Sequence, residues 1–335
     1  MPIPGQPPPS PALAAALEQF AAGQVEEGEQ ALYDAARRTK AEHGSGSHPL
    51  ARAYADLARY HFRTGEFKKA AAEFKHATGN PMPKDKGERA DRLSFMYGFG
   101  AVLAAVGKHD EAVTVFRKCL AFAMSLYGPG TPDHVLALVP LAAELLKTNA
   151  EFEAMQLADE AYDALWKMGN PRVVEVVPTR AEAMKAAGRA DSPFADLTDL
   201  PDDLAAQVVT AVVSYQGDPA RRRAVLADLL KFADRKFGDG HPAVADTLAA
   251  VARHEASLGF RGDAKLRTTV TRRAVWSFAV RRVAADLLAN LEVGFEPDGA
   301  VHVGAHLSRY ADEDETNRLE DVLAEAVEDL WTRGK

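Results

Sequence analysis

Cysteine is almost missing from this chain: one residue, Cys119, stands in a sequence of 335. A single cysteine excludes an intramolecular disulfide and any zinc site built from several thiolates. Long apolar runs are missing too, and without about 18 consecutive apolar residues no transmembrane helix is predicted. Residues 1–11 hold six of the 19 prolines and neither Lys nor Arg, unlike a signal peptide. We therefore expect a cytoplasmic protein with a disordered, proline-rich tail at residues 1–11.

Basic residues are also fewer than acidic ones: the chain has 40 Lys and Arg residues and 48 Asp and Glu residues, which gives a net charge of −8. This balance argues against a protein whose whole surface follows a nucleic-acid backbone. The hydrophobic fraction of 47% is ordinary for a globular chain, so a sizeable core can form. The length allows one large body or two smaller ones.

The familiar catalytic motifs are absent from the sequence. It contains no phosphate-binding GxxxxGK[ST], no dinucleotide-binding GxGxxG, no metal-binding HExxH or CxxC, and no nucleophile motif GxSxG or SxxK. We therefore expect no cofactor, no resident metal and no enzymatic activity. An enzyme with an unrecognised site stays open as an alternative.

What the sequence does contain is an internal repeat. Gly23, Gly65, Gly107 and Asn149 follow one another at intervals of 42 residues, and both residue types tolerate the left-handed conformation at a helix end. Small residues keep the same phase five positions further on, in a column of Gly28, Ala70, Ala112 and Ala154. Each unit therefore predicts two closely packed helices that meet at small residues, with helix ends within about two residues of the markers.

Proline and loop residues interrupt this pattern in the second half of the chain. Pro140 and Pro178 fall inside helical patterns, so each either kinks its helix or marks a later start. Residues 191–201 read as a loop where a second helix is expected. The marker returns at Gly259 with degenerate units around it, so the repeat is degenerate from about residue 171.

The repeat resembles the tetratricopeptide repeat family, in the longer variety found in kinesin light chains. The resemblance rests on a small residue in the first helix, a loop glycine and two alanines in the second helix, here Ala58, Gly65, Ala70 and Ala77. It covers residues 12 to about 170 well. It implies an all-α fold, a right-handed solenoid of helix-turn-helix repeats over residues 12–288.

The resemblance also implies a groove along the concave face, lined by first helices, where a protein segment binds. Carried over by phase, the partner-binding residues are Arg52, Arg59, Ser94, Tyr97, Leu136 and Val139. They form a mixed surface, basic at one end and apolar at the other, with Tyr97 as the expected aromatic anchor. The cationic clamp that grips carboxylates in chaperone-binding relatives is not reproduced, because Arg59 is the only cation at its positions and no Asn is present.

The last part of the chain changes to a period of two. The pattern predicts an antiparallel hairpin with a turn at residues 296–299 and the apolar pairs Phe295/Val301, Val293/Val303 and Leu291/Ala305. A helix over residues 314–331 follows, with an apolar stripe of Leu319, Val322, Leu323, Ala326 and Leu330. We predict that residues 289–335 cap the open end of the solenoid, or that the hairpin completes its sheet in a homodimer.

Other candidate sites have plainer interpretations. Cys119 stands in a column of small residues and is expected to be packing. His302 and His306 lie about 13 Å apart on one strand, too far to share an ion with Glu292. Residues 261–282 carry a basic series of Arg261, Lys265, Arg267, Arg272, Arg273, Arg281 and Arg282.

Two functions follow, and they differ in class. The first is a non-enzymatic scaffold or adaptor whose partner is a protein or peptide bound on the concave face. The alternative is a nucleic-acid-associated regulator that uses residues 261–282, although the acidic residues between 312 and 329 can neutralise that stretch within the molecule. We expect neither a membrane nor nucleic acid as the main partner.

Overall fold

The computed structural model describes residues 9–79, 81–238, 241–257, 264–279, 282–283, 287–295 and 301–331. These residues are helical apart from loops and one two-stranded sheet, which confirms the predicted all-α class with its small C-terminal hairpin. Contacts divide the chain into two compact units, Met1–Val176 and Val177–Lys335. The predicted division at residue 288 stays a prediction. No helix among the described residues is both long and apolar enough to span a membrane.

The first unit is a series of helices, and each of the first nine packs against its neighbour in the chain. The helices are α1 (Pro11–Ala21), α2 (Val25–His43), α3 (His48–Arg63), α4 (Phe67–Gly79), α5 (Lys86–Ala105), α6 (His109–Tyr127), α7 (Pro132–Leu136), α8 (Leu138–Leu145), α9 (Glu151–Lys167) and α10 (Val173–Ala186). The boundary between the two units falls inside α10.

The repeat markers end their helices as predicted. Gly65 and Gly107 follow α3 and α5 with φ of 80° and 77°, and Asn149 takes the left-handed conformation with φ of 58°. The opposite ends are capped by side chains: the Ser47 hydroxyl accepts from the backbone N–H of Leu50, and Pro49 stands in the first turn of α3. Glycine or asparagine past the end and proline just inside the start is the usual asymmetry of a helix.

The small columns are the contact points between helices. Ala70, Ala112 and Ala154 are fully buried, as the phase predicts. Large rings fill the space beside them: a β-carbon on Gly100 would stand 2.6 Å from the Phe116 ring. Small residues therefore set the close approach of α5 and α6, and the phenylalanine closes the gap.

The two internal prolines have different outcomes. Pro140 lacks the N–H that would continue the helix, and the helical segment is divided at Ala137 into α7 and α8. Pro178 lies inside α10. The start of this helix has backbone hydrogen bonds that span three residues, such as that from the Glu175 N–H to the Arg172 carbonyl at 2.9 Å. One proline thus breaks its helix and the other is accommodated.

In the second unit, the predicted loop follows the end of α10. Phe194 and Leu197 are fully buried in residues 189–201, and the Phe194 ring lies 5.9 Å from that of Phe232. The loop therefore fills apolar space without a second helix. The elements that follow are α11 (Asp202–Ser214), α12 (Pro219–Phe237), α13 (Pro242–Ser257), α14 (Ala264–Ala279), β1 (Leu288–Phe295), β2 (Val301–Leu307) and α15 (Glu313–Trp331).

The hairpin has the predicted register. The three apolar pairs are found: Leu291 with Ala305, Val293 with Val303, and Phe295 with Val301. Strand β1 packs against α14, and α15 packs against α13 and α14 through the buried residues Leu319, Val322, Leu323 and Ala326. The predicted turn at 296–299, the marker Gly259 and the side chain of Leu330 lie outside the described residues.

Candidate interaction surface

Most of the predicted groove is buried, so the exposure expected of it is wrong. Ser94, Tyr97, Leu136 and Val139 are all buried, and Tyr97 is only 2% exposed. The Tyr97 ring faces Phe116 of α6 with 6.2 Å between centroids, and burial raises the pKa of its phenol. Tyr97 is therefore a core residue between α5 and α6 in this chain.

A physical reason accounts for each error. Gly98 and Gly100 let neighbouring helices close over α5, so its large side chains point into helix contacts. Residues 135–146 are almost entirely apolar, and a helix that is apolar all round is a buried one. Leu136 and Val139 follow that rule.

The two predicted cations, Arg52 and Arg59, do reach the surface to different degrees. The Arg52 side chain on α3 is 48% exposed, and its Nε lies 3.5 Å from Asp91 Oδ2 on α5. The same carboxylate oxygen contacts His48 Nε2 at 3.0 Å. Asp91 therefore contacts both side chains, and it holds the Arg52 guanidinium at its Nε atom.

Arg59 lies deeper and forms an ion pair with Asp56, a residue outside the predicted groove. Its side chain is 13% exposed; one terminal nitrogen contacts Asp56 Oδ1 at 3.3 Å and the other donates to Ser94 Oγ at 3.4 Å. Burial raises the pKa of Asp56 and lowers that of Arg59. The three-residue spacing of Asp56 and Arg59 on one helix face was the available signal.

A cavity of about 410 Å³ adjoins these residues, and we call it the α1–α3 cleft. Its lining comes from the start of α1, one face of α2 and the first half of α3: Ser10, Pro11, Ala12, Leu32, Ala35, Thr39, His43, Pro49, Arg52, Ala53 and Asp56. Apolar walls with a few convergent polar groups are typical of ligand sites of this size. Arg52 and Asp56 are the charged groups on its wall.

A second, smaller cavity of about 130 Å³ lies along the start of α3. It is lined by Gly46, His48, Ala51, Ala77, Pro81, Pro83, Glu88, Arg92 and Phe95. Burial lowers the pKa of Arg92. His48 therefore stands at this cavity while its Asp91 contact connects it to Arg52.

The sequence profile of the tetratricopeptide repeat family matches residues 92–135. This segment contains most of α5 and all of α6, the helix pair whose small and large columns recur in the neighbouring pairs. Residues 92–135 therefore form a tetratricopeptide repeat (TPR). No curated protein matches the sequence of this chain.

Several solved structures align with a large part of the chain. A kinesin light chain of Podosopora anserina with nearly identical TPR-like repeats is 15% identical, covering 69% of this chain and 96% of its own, with a TM-score of 0.43. BtubC from P. vanneervenii is 15% identical, covering 75% and 91%, with a TM-score of 0.43. The apo form of RapI is 11% identical, covering 79% and 96%, with a TM-score of 0.47.

One side-chain cluster in the protein has the composition of a metal site. Donor atoms of Glu29, His61 and Glu66 all lie within 4.8 Å of one another. Lys69 Nζ lies 2.8 Å from Glu29 Oε1 and 2.5 Å from Glu66 Oε2, so an ammonium group already takes the place of the cation. The hydrogen bond from Lys69 lowers the pKa of Glu29, with a smaller contribution from His61. The cluster is an ion-pair network that ties α2, α3 and α4 together.

Two plain interpretations of other residues hold in the structure. Cys119 is fully buried among the helices, and burial raises the pKa of its thiol, so it is a packing residue. His306 Nε2 contacts Glu292 Oε1 at 3.0 Å on the exposed face of the hairpin, a solvated charge pair.

The basic stretch 261–282 is only partly described. Arg261 and Arg281 lie outside the described residues, as do the side chains of Lys265 and Arg267. Arg273 donates to both carboxylate oxygens of Asp234 on α12, at 2.9 and 3.1 Å. The Arg282 guanidinium lies 3.5 Å from the centroid of the Phe278 ring. These two cations act within the second unit, and Arg272 is exposed.

Proposed function

We propose that this protein is a non-enzymatic cytoplasmic scaffold of TPR type that binds a segment of a partner protein at the α1–α3 cleft. The observation that carries the proposal is the cleft itself, a cavity of about 410 Å³ with the half-exposed Arg52 on its wall. Arg52 replaces the buried Tyr97 as the residue most open to a partner. The proposal keeps the predicted class of function and moves the binding position.

The charges at the cleft favour one kind of segment. Asp56 is matched by Arg59, and Asp91 contacts Arg52 only at Nε, so part of the exposed guanidinium is open to an incoming acceptor. Guanidinium groups bind carboxylates in a planar, two-pronged geometry. The apolar lining accepts a side chain such as Leu or Phe. The expected segment therefore carries an acidic residue close to an apolar one.

The test is a selection of binding peptides from a random library displayed against the full chain. We expect the selected peptides to pair an acidic with an apolar residue, and Arg52→Gln to weaken their binding at least about tenfold. Ala35→Phe, which fills the cleft, should weaken binding in the same way.

Arg117→Gln is the matched control. Arg117 on α6 is 52% exposed and contacts Glu153 at 2.6 Å, so it resembles Arg52 in exposure and pairing but lies away from the cleft. Its loss should leave binding unchanged. Peptides that bind the Arg52→Gln and Ala35→Phe variants as tightly as the native chain would overturn the proposed site.

A further inference from the structure

Strand β2 has one edge without a ladder partner in the described part of the chain. The sheet there consists of β1 and β2, so β1 occupies one edge of β2 only. His302, Gly304, His306 and Leu307 are all exposed, and Leu307 remains 39% exposed although it is large and apolar. The strand contains neither proline nor lysine, two of the usual devices that protect a free edge, and the one irregularity of the ladder lies on β1, between Leu288 and Asn290.

The sequence of β2 is a near palindrome. Reading outward from Gly304, Val303 matches Ala305, His302 matches His306 and Val301 matches Leu307. Two antiparallel copies of such a strand place like residues opposite like residues on both faces. A surface that is complementary to itself is what a two-fold interface requires.

We propose that two copies of this chain pair through β2, antiparallel and with the two-fold axis at Gly304, to form a four-stranded sheet. The inference rests on the hairpin alone and is independent of the α1–α3 cleft. The occupant is a second copy because the palindrome specifies one: an unrelated strand has no reason to match this pattern about a central glycine.

Pairing in this register removes the weaknesses of the isolated hairpin. On the apolar face, Val301 of one copy lies opposite Leu307 of the other. The two-fold axis repeats this pair, so the exposed Leu307 of each copy is covered. Val303 lies opposite Ala305, so the half-buried row that includes Phe295 continues across the axis. Two strands alone are marginal in water, whereas four strands that share an apolar face are not.

The polar face agrees with the same register. His302 of one copy lies opposite His306 of the other, and each His306 keeps its contact with Glu292 of its own chain. The register therefore places imidazole opposite imidazole, with one Glu292 carboxylate beside each His306. Replacing both histidines by glutamate would instead place like charges directly opposite one another.

The sharpest test is a cysteine at the axis. Gly304 of the two copies would lie about 4.5–5.5 Å apart between Cα atoms, within the range that a disulfide spans. A β-carbon there meets nothing closer than Glu292 Cβ at 3.9 Å, so Gly304→Cys fits the strand. We expect mild oxidation to convert this variant to a covalent dimer in high yield.

Gly294→Cys is the matched control. Gly294 is exposed on the same hairpin and has no atom within 4 Å of a β-carbon, but it lies on β1, away from the axis. It should cross-link only at the slow rate of random collision. The native Cys119 is fully buried and does not contribute.

Sedimentation velocity supplies the independent readout. The mass of the native chain should rise with concentration from that of a monomer towards that of a dimer. The double variant His302→Glu with His306→Glu should keep the mass of a monomer at every concentration. Native protein that stays monomeric at every concentration overturns the proposal. So does a dimer that survives the double variant, or equal cross-linking of the two cysteine variants.

Discussion

The ring of Phe74 in α4 occupies the place where a β-carbon on Gly98 in α5 would stand. Phe74 is buried and cannot turn away into solvent. Adjacent repeats therefore meet at a glycine and a phenylalanine that fit only as a pair, and the same relation recurs one helix on between Gly100 and Phe116. This contact sets the spacing between the second and third helix pairs.

Gly98→Ala should destabilise the chain although alanine is the better helix former. We expect a loss of about 1–3 kcal/mol in the free energy of unfolding, because the added methyl group overpacks a closed contact. Chemical denaturation followed by circular dichroism measures it. Gly79→Ala in α4 is the control: nothing lies within 4 Å of its β-carbon. That variant should be neutral or gain up to about 1 kcal/mol from helix propensity, and equal losses in both would refute the contact.

Tyr97→Phe should leave stability unchanged or slightly improved. The Tyr97 hydroxyl is buried and makes no hydrogen bond among the described atoms, so removing it ends an uncompensated burial. Tyr97→Ala removes the ring that packs on Phe116 and should cost about 3–5 kcal/mol. Thermal denaturation of both variants distinguishes this core residue from the exposed anchor that the sequence suggested, for which both changes would be mild.

The repeat phase could be predicted because it depends on local backbone chemistry. Gly65 and Asn149 mark helix ends through the left-handed conformation, and Ala112 marks a close contact by its size alone. The hairpin register followed in the same way, since alternation and turn length leave one pairing that puts Val293 opposite Val303.

The face that each helix presents could not be predicted from phase alone. Tyr97 is amphipathic, and its burial depends on how closely the neighbouring helices approach α5: Gly98 admits Phe74 of α4, and Gly100 admits Phe116 of α6. Asp56 was not predicted as a site residue because a carboxylate in a helix is usually solvated, and only the fold places it beside Arg59 and the α1–α3 cleft. The burial of Tyr97 and the position of Asp56 both depend on tertiary packing.

Acidification should remove stability that Glu29 contributes. Its folded-state pKa lies below the ordinary value of 4.5, chiefly because Lys69 donates to the carboxylate. A depressed carboxyl pKa stabilises the fold above its unfolded pKa, and this stability is lost as pH falls through the folded pKa. Unfolding free energies measured between pH 7 and about 3 should fall less steeply in Glu29→Gln than in the native chain. Glu42→Gln, also on α2 and exposed, controls for the loss of one charge, and an identical slope in all three would contradict the assignment.

Removal of α15 should expose the end of the second unit. Leu319, Val322 and Leu323 are buried where α15 packs on α13 and α14, so a chain that stops at residue 288 leaves those helices without their cover. A repeat array that loses its terminal cover exposes apolar surface. We expect the truncated chain to bind the dye ANS and to aggregate at concentrations where the native chain is stable. A milder test keeps the chain intact: Leu319→Ala should cost about 2–5 kcal/mol, whereas Glu320→Ala, on the next and exposed residue, should stay within about 0.5 kcal/mol. A truncated chain as soluble and as stable as the native one would show that residues 289–335 do not act as a cap.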